Sequence, residues 1–234
     1  MYDGWWLIPC AYLYGSIPFV WLIARSKGVN LRQRGSGNIG TTNLMKATGF
    51  WVGLGGAFFD FTKGLLPILV GYYILHLSLV TVCLAGLAGV AGQCWPLFLK
   101  FSGGRGGTPS AAMALTLVPW ETLIALIPFM LSGIWYRIAP FRGRSRPGTE
   151  GGGSAKSEQT HIVPLAMLIS FALLPLITAL WQQPLTVTLG TAGLFLLLVA
   201  RRLTGGIREE LAGLPRGVAI LPIFINRFLY DRSR

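Results

Sequence analysis

One stretch of nine residues, 35–43, combines the residue types that bind phosphate groups. Glycines allow successive backbone N–H groups to converge on one anion, while hydroxyl groups and a helix N-terminus add further donors. Two cations, Arg32 and Arg34, lie directly before it. A turn rich in helix-capping residues is the alternative interpretation. We favour phosphate binding and expect the contacts from Gly35, Gly37, Asn38, Gly40, Thr41, Thr42, Asn43 and Lys46.

A second glycine-rich stretch, residues 103–107, places a cation inside the glycine run. The guanidinium of Arg105 offers a planar pair of donors that matches a phosphate group. Flexible linkers have the same composition, so the stretch is a weak signal by itself and a stronger one beside the first. We expect a site for two phosphates, or for one phosphate held from two sides, with further contacts from Gly103, Gly104 and Gly106.

Two charged residues, Asp60 and Lys63, lie three positions apart inside an apolar segment and therefore on one face of a helix. A charge at the centre of a membrane helix costs about 2.5–3.5 kcal/mol on insertion scales, so neither side chain should face lipid. One interpretation is a structural ion pair between helices. The other is that Lys63 backs the phosphate site and is oriented by Asp60. The sequence leaves both open.

Residues for nucleophilic or metal chemistry are poorly placed. His76 and His161 have no Ser, Cys or Asp beside them in a nucleophile–base pattern. The adjacent Glu209 and Glu210 diverge on a helix. We therefore expect no metal and no cofactor. Any reaction would use an already activated substrate, with the protein supplying positioning and charge stabilisation.

The positive charges are confined to alternate connections between apolar segments. Apart from Lys63, all lysines and arginines fall within 25–46, 100–105, 137–156 and 201–234, whereas 75–78, 119–121 and 182–184 contain none. This alternation is typical of a multi-pass membrane protein whose basic loops face the cytoplasm. The net charge of +12 then indicates contact with anionic lipid rather than nucleic acid. Both glycine stretches would face the cytoplasm.

The apolar segments predict an all-α fold with about seven transmembrane helices, since about 20 apolar residues cross a bilayer. The N-terminus would lie outside and the C-terminus in the cytoplasm. A six-span arrangement would separate the basic loops onto opposite sides. The predicted spans are 4–24, 50–75, 77–99, a short one at 109–118, 121–138, 161–181 and 185–200.

We predict one membrane domain, residues 1–202, followed by a basic cytoplasmic tail, 203–234. Within the domain, residues 140–159 are rich in Gly, Ser and charge and have no apolar periodicity, which is typical of a flexible linker. The apolar run in the tail is too short to span and would lie on the membrane surface.

In these motifs the chain resembles the bacterial acyl-phosphate:glycerol-3-phosphate acyltransferases. The motifs occur in the family's order over about 200 residues. The resemblance implies a seven-span, N-outside enzyme of the bacterial inner membrane. It also implies catalytic roles for Ser36 and Arg105, and supporting roles for Asp60, Lys63, Gln93 and Arg202. The residues that carry it are Gly35, Ser36, Gly37, Asn38, Gly40, Thr42 and Asn43, then Asp60, Lys63, Gly64 and Pro67, then Gly92, Pro96, Phe98 and the second glycine stretch.

The chain departs from the family pattern at several positions. Gln93 replaces a histidine, Arg105 a lysine and Lys46 an arginine. After the last span, Leu203, Gly206 and Pro215 occupy the positions where the family has His, Asn and Glu. In the family those side chains help to bind the polar substrate and orient its hydroxyl.

Three functions follow from these observations. The leading one is transfer of an acyl group from acyl phosphate to the 1-hydroxyl of sn-glycerol 3-phosphate, giving lysophosphatidic acid. The second is a catalytically weakened paralogue that binds acyl phosphate or glycerol 3-phosphate. The third is an organic-phosphate transporter, which intramembrane charges also permit. It ranks last because the polar motifs cluster on one membrane face. Acyl-chain length and oligomeric state are not predicted.

Overall fold

A computed structural model describes residues 4–138, 153–205 and 207, and these residues are helical almost throughout. The α-helices are α1 (Leu7–Ser16), α2 (Phe19–Ser26), α3 (Thr41–Thr48), α4 (Phe50–Leu69), α5 (Leu79–Cys94), α6 (Gly107–Leu117), α7 (Pro119–Ala125), α8 (Ile127–Ile138), α9 (Gly153–Leu180) and α10 (Leu185–Thr204). A π-helical turn, Val70–Ile74, extends α4. The predicted all-α class is confirmed.

Within the described residues, four helical stretches are long and apolar enough to cross a membrane. They are Leu7–Ser26, Phe50–Ile74, Leu79–Leu99 and Leu185–Thr204. Two shorter apolar stretches, Pro119–Trp135 and Pro164–Leu180, accompany them. The count of seven spans and the orientation of the termini stay predictions.

Two of the predicted spans are divided by prolines. The first is broken between α1 and α2, where Ile17 adopts an extended conformation because Pro18 follows it. The predicted helix 121–138 is two helices that separate at Leu126, two residues before Pro128. Proline supplies no N–H to the helical ladder, so apolar length alone does not reveal these breaks.

The boundaries of the predicted linker also change. Helix α9 begins at Gly153, eight residues before the predicted start of the span at His161. The last seven residues of the predicted linker, 153–159, are therefore helical. Residues 140–152 lie outside the described residues. The same holds for most of the predicted tail, of which Leu203 and Thr204 complete α10.

Close helix packing brings the charged and glycine-rich segments together. A Cβ atom placed on Gly15 of α1 would lie 2.2 Å from the carbonyl oxygen of Gly89 in α5. On Gly64 of α4 it would lie 1.9 Å from the carbonyl oxygen of Pro109 in α6. Only glycine permits these approaches, which fix α1 against α5 and α4 against α6.

Candidate active site

The site is built from two loops, which we name by their residues. The first glycine loop is residues 35–40 and precedes α3. The second glycine loop is residues 103–106 and precedes α6. A small hydrophobic cluster supports the first loop from below: Val20, Ala24, Leu31, Ile39 and Leu44.

The buried side chain of Asn43 organises the first glycine loop. Its Nδ2 donates to the carbonyl oxygens of Leu31 at 3.1 Å, Arg34 at 3.0 Å and Asn38 at 3.0 Å. Its Oδ1 accepts from the backbone N–H of Ser36 at 3.4 Å. The amide therefore links the backbone of the loop to the backbone of the segment just before it.

Gly35 allows the loop to wrap so closely around this amide. It has φ +60°, and a Cβ atom there would lie 2.3 Å from Oδ1 of Asn43. A side chain at this position would both strain the backbone and displace the amide. The hydroxyl of Ser36 and the side chains of Thr42 and Lys46 remain on the exposed surface.

The second glycine loop is held by residues that are distant in sequence. The backbone N–H of Gly104 donates to the carbonyl oxygen of Gln93 at 3.1 Å. Arg201, in the last turn of α10, donates from Nε to the carbonyl oxygen of Gly104 at 2.8 Å. Its Nη2 donates to the carbonyl oxygen of Gly103 at 2.6 Å. Gly103 and Gly104 are buried, whereas Arg105 is exposed between its glycine neighbours.

The two loops lie against each other: a Cβ atom placed on Gly104 would lie 2.7 Å from the carbonyl oxygen of Ile39. The hydroxyl oxygens of Thr41 and Thr108 lie 3.5 Å apart, at the outer limit of a hydrogen bond. Arg32 donates from Nη2 to the carbonyl oxygen of Ser102 at 3.3 Å. A small, partly open cleft lies beside the junction and is lined by Pro18, Val20, Ile39, Gln93, Pro96, Leu99, Gly103 and Gly104.

Two helix N-termini point into this junction. Helix α3 begins after Gly40 and helix α6 begins after Gly106, and both capping residues are glycines. A glycine cap carries no side chain that can accept from the first-turn N–H groups. The N–H of Asn43 already donates to the carbonyl oxygen of Gly40 at 3.1 Å, and Pro109 has no N–H. The N–H groups of Thr41, Thr42, Gly107 and Thr108, and the positive ends of the two helix dipoles, can therefore serve an anion.

Asp60, Lys63 and Gln93 form a buried polar cluster below the second glycine loop. Nζ of Lys63 lies 3.2 Å from Oδ1 of Asp60 and also donates to Oε1 of Gln93. Nε2 of Gln93 donates to Oδ2 of Asp60 at 2.9 Å. The ring of Phe19 covers the ammonium group at 5.4 Å. Asp60 and Lys63 are both buried, so the prediction that these two side chains face the interior of the helix bundle is confirmed.

Sequence reasoning missed two residues at this site. The first is Arg201, which binds the second glycine loop, whereas the sequence predicted a role for its neighbour Arg202. Nη1 of Arg202 donates to the carbonyl oxygen of Pro164 at 3.1 Å. Consecutive helical residues point about 100° apart, and the sequence does not show which of the two arginines faces the loop. The second is Thr108, whose hydroxyl lies beside that of Thr41. Its position directly after the second glycine stretch is the signal that could have indicated it.

Comparisons with known proteins match most of the chain. The family described as glycerol-3-phosphate acyltransferase matches residues 5–144. Glycerol-3-phosphate acyltransferase 4 of Dehalococcoides mccartyi is 32% identical, over 97% of this chain and 90% of that protein. Glycerol-3-phosphate acyltransferase 5 from another strain of that species is 31% identical, over 95% and 85%.

Solved structures agree with the sequence relatives. PlsY, an integral membrane glycerol 3-phosphate acyltransferase, superposes in its glycerol 3-phosphate form with a TM-score of 0.67 at 28% identity. That match covers 93% of this chain and 96% of the other. Its lysophosphatidic acid form gives a TM-score of 0.66 at 26% identity. The four long apolar helices agree with the integral membrane nature of these solved relatives, and the chain belongs to the glycerol-3-phosphate acyltransferase family.

Proposed function

We propose that this membrane acyltransferase takes its acyl group from an acyl phosphate and transfers it to the 1-hydroxyl of sn-glycerol 3-phosphate. The observation that carries the proposal is the meeting of two glycine loops and two helix N-termini at Thr41 and Thr108. Both substrates carry a phosphate, and the arrangement offers two groups of N–H donors. The solved relative in its glycerol 3-phosphate and lysophosphatidic acid forms supports these as acceptor and product.

The reaction needs no covalent intermediate, because acyl phosphate is already activated. The 1-hydroxyl oxygen attacks the carbonyl carbon, and the bond from that carbon to the phosphate oxygen breaks. Inorganic phosphate leaves, and the hydroxyl proton passes to the released phosphate or to solvent. The protein then has to position two substrates and stabilise negative charge on the departing phosphate.

The two loops divide this work. The first glycine loop and the exposed Lys46 bind the phosphate of glycerol 3-phosphate, with the hydroxyl of Ser36 orienting the acceptor. Arg105 and the second glycine loop bind and stabilise the leaving phosphate. Asn43 shapes the first loop instead of contacting phosphate, because its amide is engaged by the loop backbone. The cluster of Asp60, Lys63 and Gln93 supports the second loop from below.

The purified protein tests the proposal directly. It is incubated with palmitoyl phosphate and glycerol 3-phosphate, and lysophosphatidic acid is measured. Palmitoyl-CoA and palmitoyl-acyl carrier protein replace the acyl phosphate in parallel reactions. We expect product from the acyl phosphate alone. Equal product from a thioester donor would contradict the proposed donor.

A second candidate, a weakened paralogue that binds without turning over, is favoured by Leu203, Gly206 and Pro215. These residues carry no polar group where the resemblance expects one. The same preparation separates the two functions. Binding of glycerol 3-phosphate without product formation would support the paralogue and contradict turnover.

We also propose that the protein lies in the bacterial inner membrane, with both glycine loops facing the cytoplasm and anionic lipid near its basic loops. Single cysteines in a cysteine-free background test the orientation in intact cells. Cysteines at Ser154 and Ser233 should be shielded from impermeant thiol reagents, whereas one at the exposed Gln182 should react. Labelling at Ser154 from outside would contradict the orientation.

A further inference from the structure

Arg201 is outside the set of residues that the sequence motifs single out, yet it makes two close contacts with the second glycine loop. The donors Nε and Nη2 bind the carbonyl oxygens of Gly104 and Gly103 at 2.8 and 2.6 Å. Both bonds come from an ionised donor and match the planar geometry of the guanidinium. They cross from the last turn of α10 to a loop almost a hundred residues earlier.

These bonds determine which way the N–H groups of the loop point. In a trans peptide the carbonyl oxygen of one residue and the N–H of the next point in opposite directions. With the Gly103 carbonyl turned to Arg201, the N–H of Gly104 points away and reaches the carbonyl oxygen of Gln93 at 3.1 Å. With the Gly104 carbonyl also turned to Arg201, the N–H of Arg105 points away from α10 as well.

A loop of glycines does not hold such an orientation by itself. Glycine has more accessible backbone conformations than any other residue, so a run of glycines needs external contacts to stay in one of them. For the first glycine loop this contact is Asn43. In the second loop, Gly103 and Gly104 are hydrogen-bonded to the backbone of Gln93 and the side chain of Arg201.

We propose that Arg201 is the positioning residue of the second glycine loop, fixing the peptide planes on either side of Gly104 so that Arg105 and its N–H are presented to the phosphate of the acyl donor. This inference rests on the proposed function, since it deepens the role given to that loop. Arg201 acts through the loop backbone. It is therefore a positioning residue and not a catalytic one.

The test replaces the arginine by a side chain of similar length without donors, Arg201→Met, which retains the packing of the aliphatic stem. We expect the KM for palmitoyl phosphate to rise, or kcat to fall, by roughly 10- to 100-fold, since small misplacements can cost about 100-fold in rate. The KM for glycerol 3-phosphate should stay within twofold, because the first loop is held independently by Asn43. Equal changes for both substrates, or kinetics like the wild type, would overturn the proposal.

Chemical rescue separates positioning from general stability. In Arg201→Ala, millimolar guanidinium should restore a measurable part of the lost activity, whereas the same concentration of sodium chloride should not. Arg25→Ala is the matched control, because Arg25 is an exposed arginine that lies over the Trp21 ring on α2. It should behave like the wild type and show no guanidinium response. An Arg201→Ala variant that is folded yet inactive with guanidinium would count against the proposal.

A binding measurement keeps the result independent of turnover. The probe, abbreviated to acyl phosphonate, is the (2-oxoalkyl)phosphonate in which CH₂ replaces the bridging oxygen of acyl phosphate, so that no transfer occurs. We expect the wild type to bind it at least tenfold more tightly than Arg201→Met by calorimetry. A wild type that binds the phosphonate but forms no product refutes the proposed reaction and leaves the role of Arg201 supported. Equal affinity of the two proteins, or no binding by the wild type, refutes the role itself.

Discussion

The first glycine loop is held by a side chain three residues beyond it, whereas the second is held by an arginine 97 and 98 residues away from the carbonyls it binds. Asn43 belongs to the first turn of α3, so the first loop and the helix it precedes form one local unit. The second loop takes its shape from α5 and α10. Changes that are distant in sequence should therefore alter the second loop strongly, whereas the hydrogen bonds of the first loop should respond mainly to changes nearby in sequence.

The largest effect should come from the buried cluster below the second loop. Lys63→Met leaves the carboxylate of Asp60 buried without its counter-ion, which should lower the free energy of unfolding by about 3–5 kcal/mol. Asp60→Asn together with Lys63→Met should lower it by less than the two single changes added together. Unfolding in mixed micelles measures this. Additive losses would show that the two charges do not act as a pair.

The next effect concerns the exposed cation of the second loop. Arg105→Ala should weaken binding of the acyl phosphonate by about 1.5–3 kcal/mol, the range for hydrogen bonds to charged groups. Arg105→Lys should be milder, because the charge is kept while the planar pair of donors is lost. Calorimetry measures both variants. If Arg105→Ala binds the acyl phosphonate with unchanged affinity, the second loop only connects two helices and does not bind phosphate through Arg105.

For the first loop, the decisive change is Asn43→Ala. It removes the partner of one carbonyl oxygen and one N–H in the loop, and of two carbonyl oxygens in the segment just before it. We expect a loss of about 1–3 kcal/mol in the free energy of unfolding and a raised KM for glycerol 3-phosphate. The KM for palmitoyl phosphate should change little. Thr48→Ala is the control, since the Thr48 hydroxyl donates within α3, to the carbonyl oxygen of Leu44. Equal rises in both KM values would show that the loops are not independent.

The smallest effect is a gain. Leu203→His with Gly206→Asn restores two polar groups that the resemblance expects after the last span. If one new hydrogen bond forms in the transition state at about 1 kcal/mol, the rate should rise about fivefold. Steady-state production of lysophosphatidic acid measures the change. An unaltered rate in the folded double variant would indicate that Arg201 and the second loop already supply what those residues provide elsewhere.

Local patterns were predictable from the sequence, and contacts between distant segments were not. The ion pair of Asp60 and Lys63 follows from their three-residue spacing, and the first glycine stretch follows from composition. The assignment of Asn43 to phosphate binding is replaced by our proposal of loop support, because composition does not reveal which way a side chain turns. Arg201 was missed because helical phase relative to a remote loop depends on how α10 packs. The breaks at Pro18 and before Pro128 were not predicted, because apolar residues continue on both sides of each proline.

The meeting of two helix N-termini has a consequence for stability as well as for binding. Each N-terminus carries a partial positive charge of about +0.5, and Thr41 and Thr108 bring the two together. The fold thus keeps two like partial charges close to each other, and they repel until an anion lies between them. A phosphate ligand at about 100 times its Kd would stabilise the folded protein by about 2.7 kcal/mol. The amount of folded enzyme in the membrane would then increase with the supply of its own phosphorylated substrates.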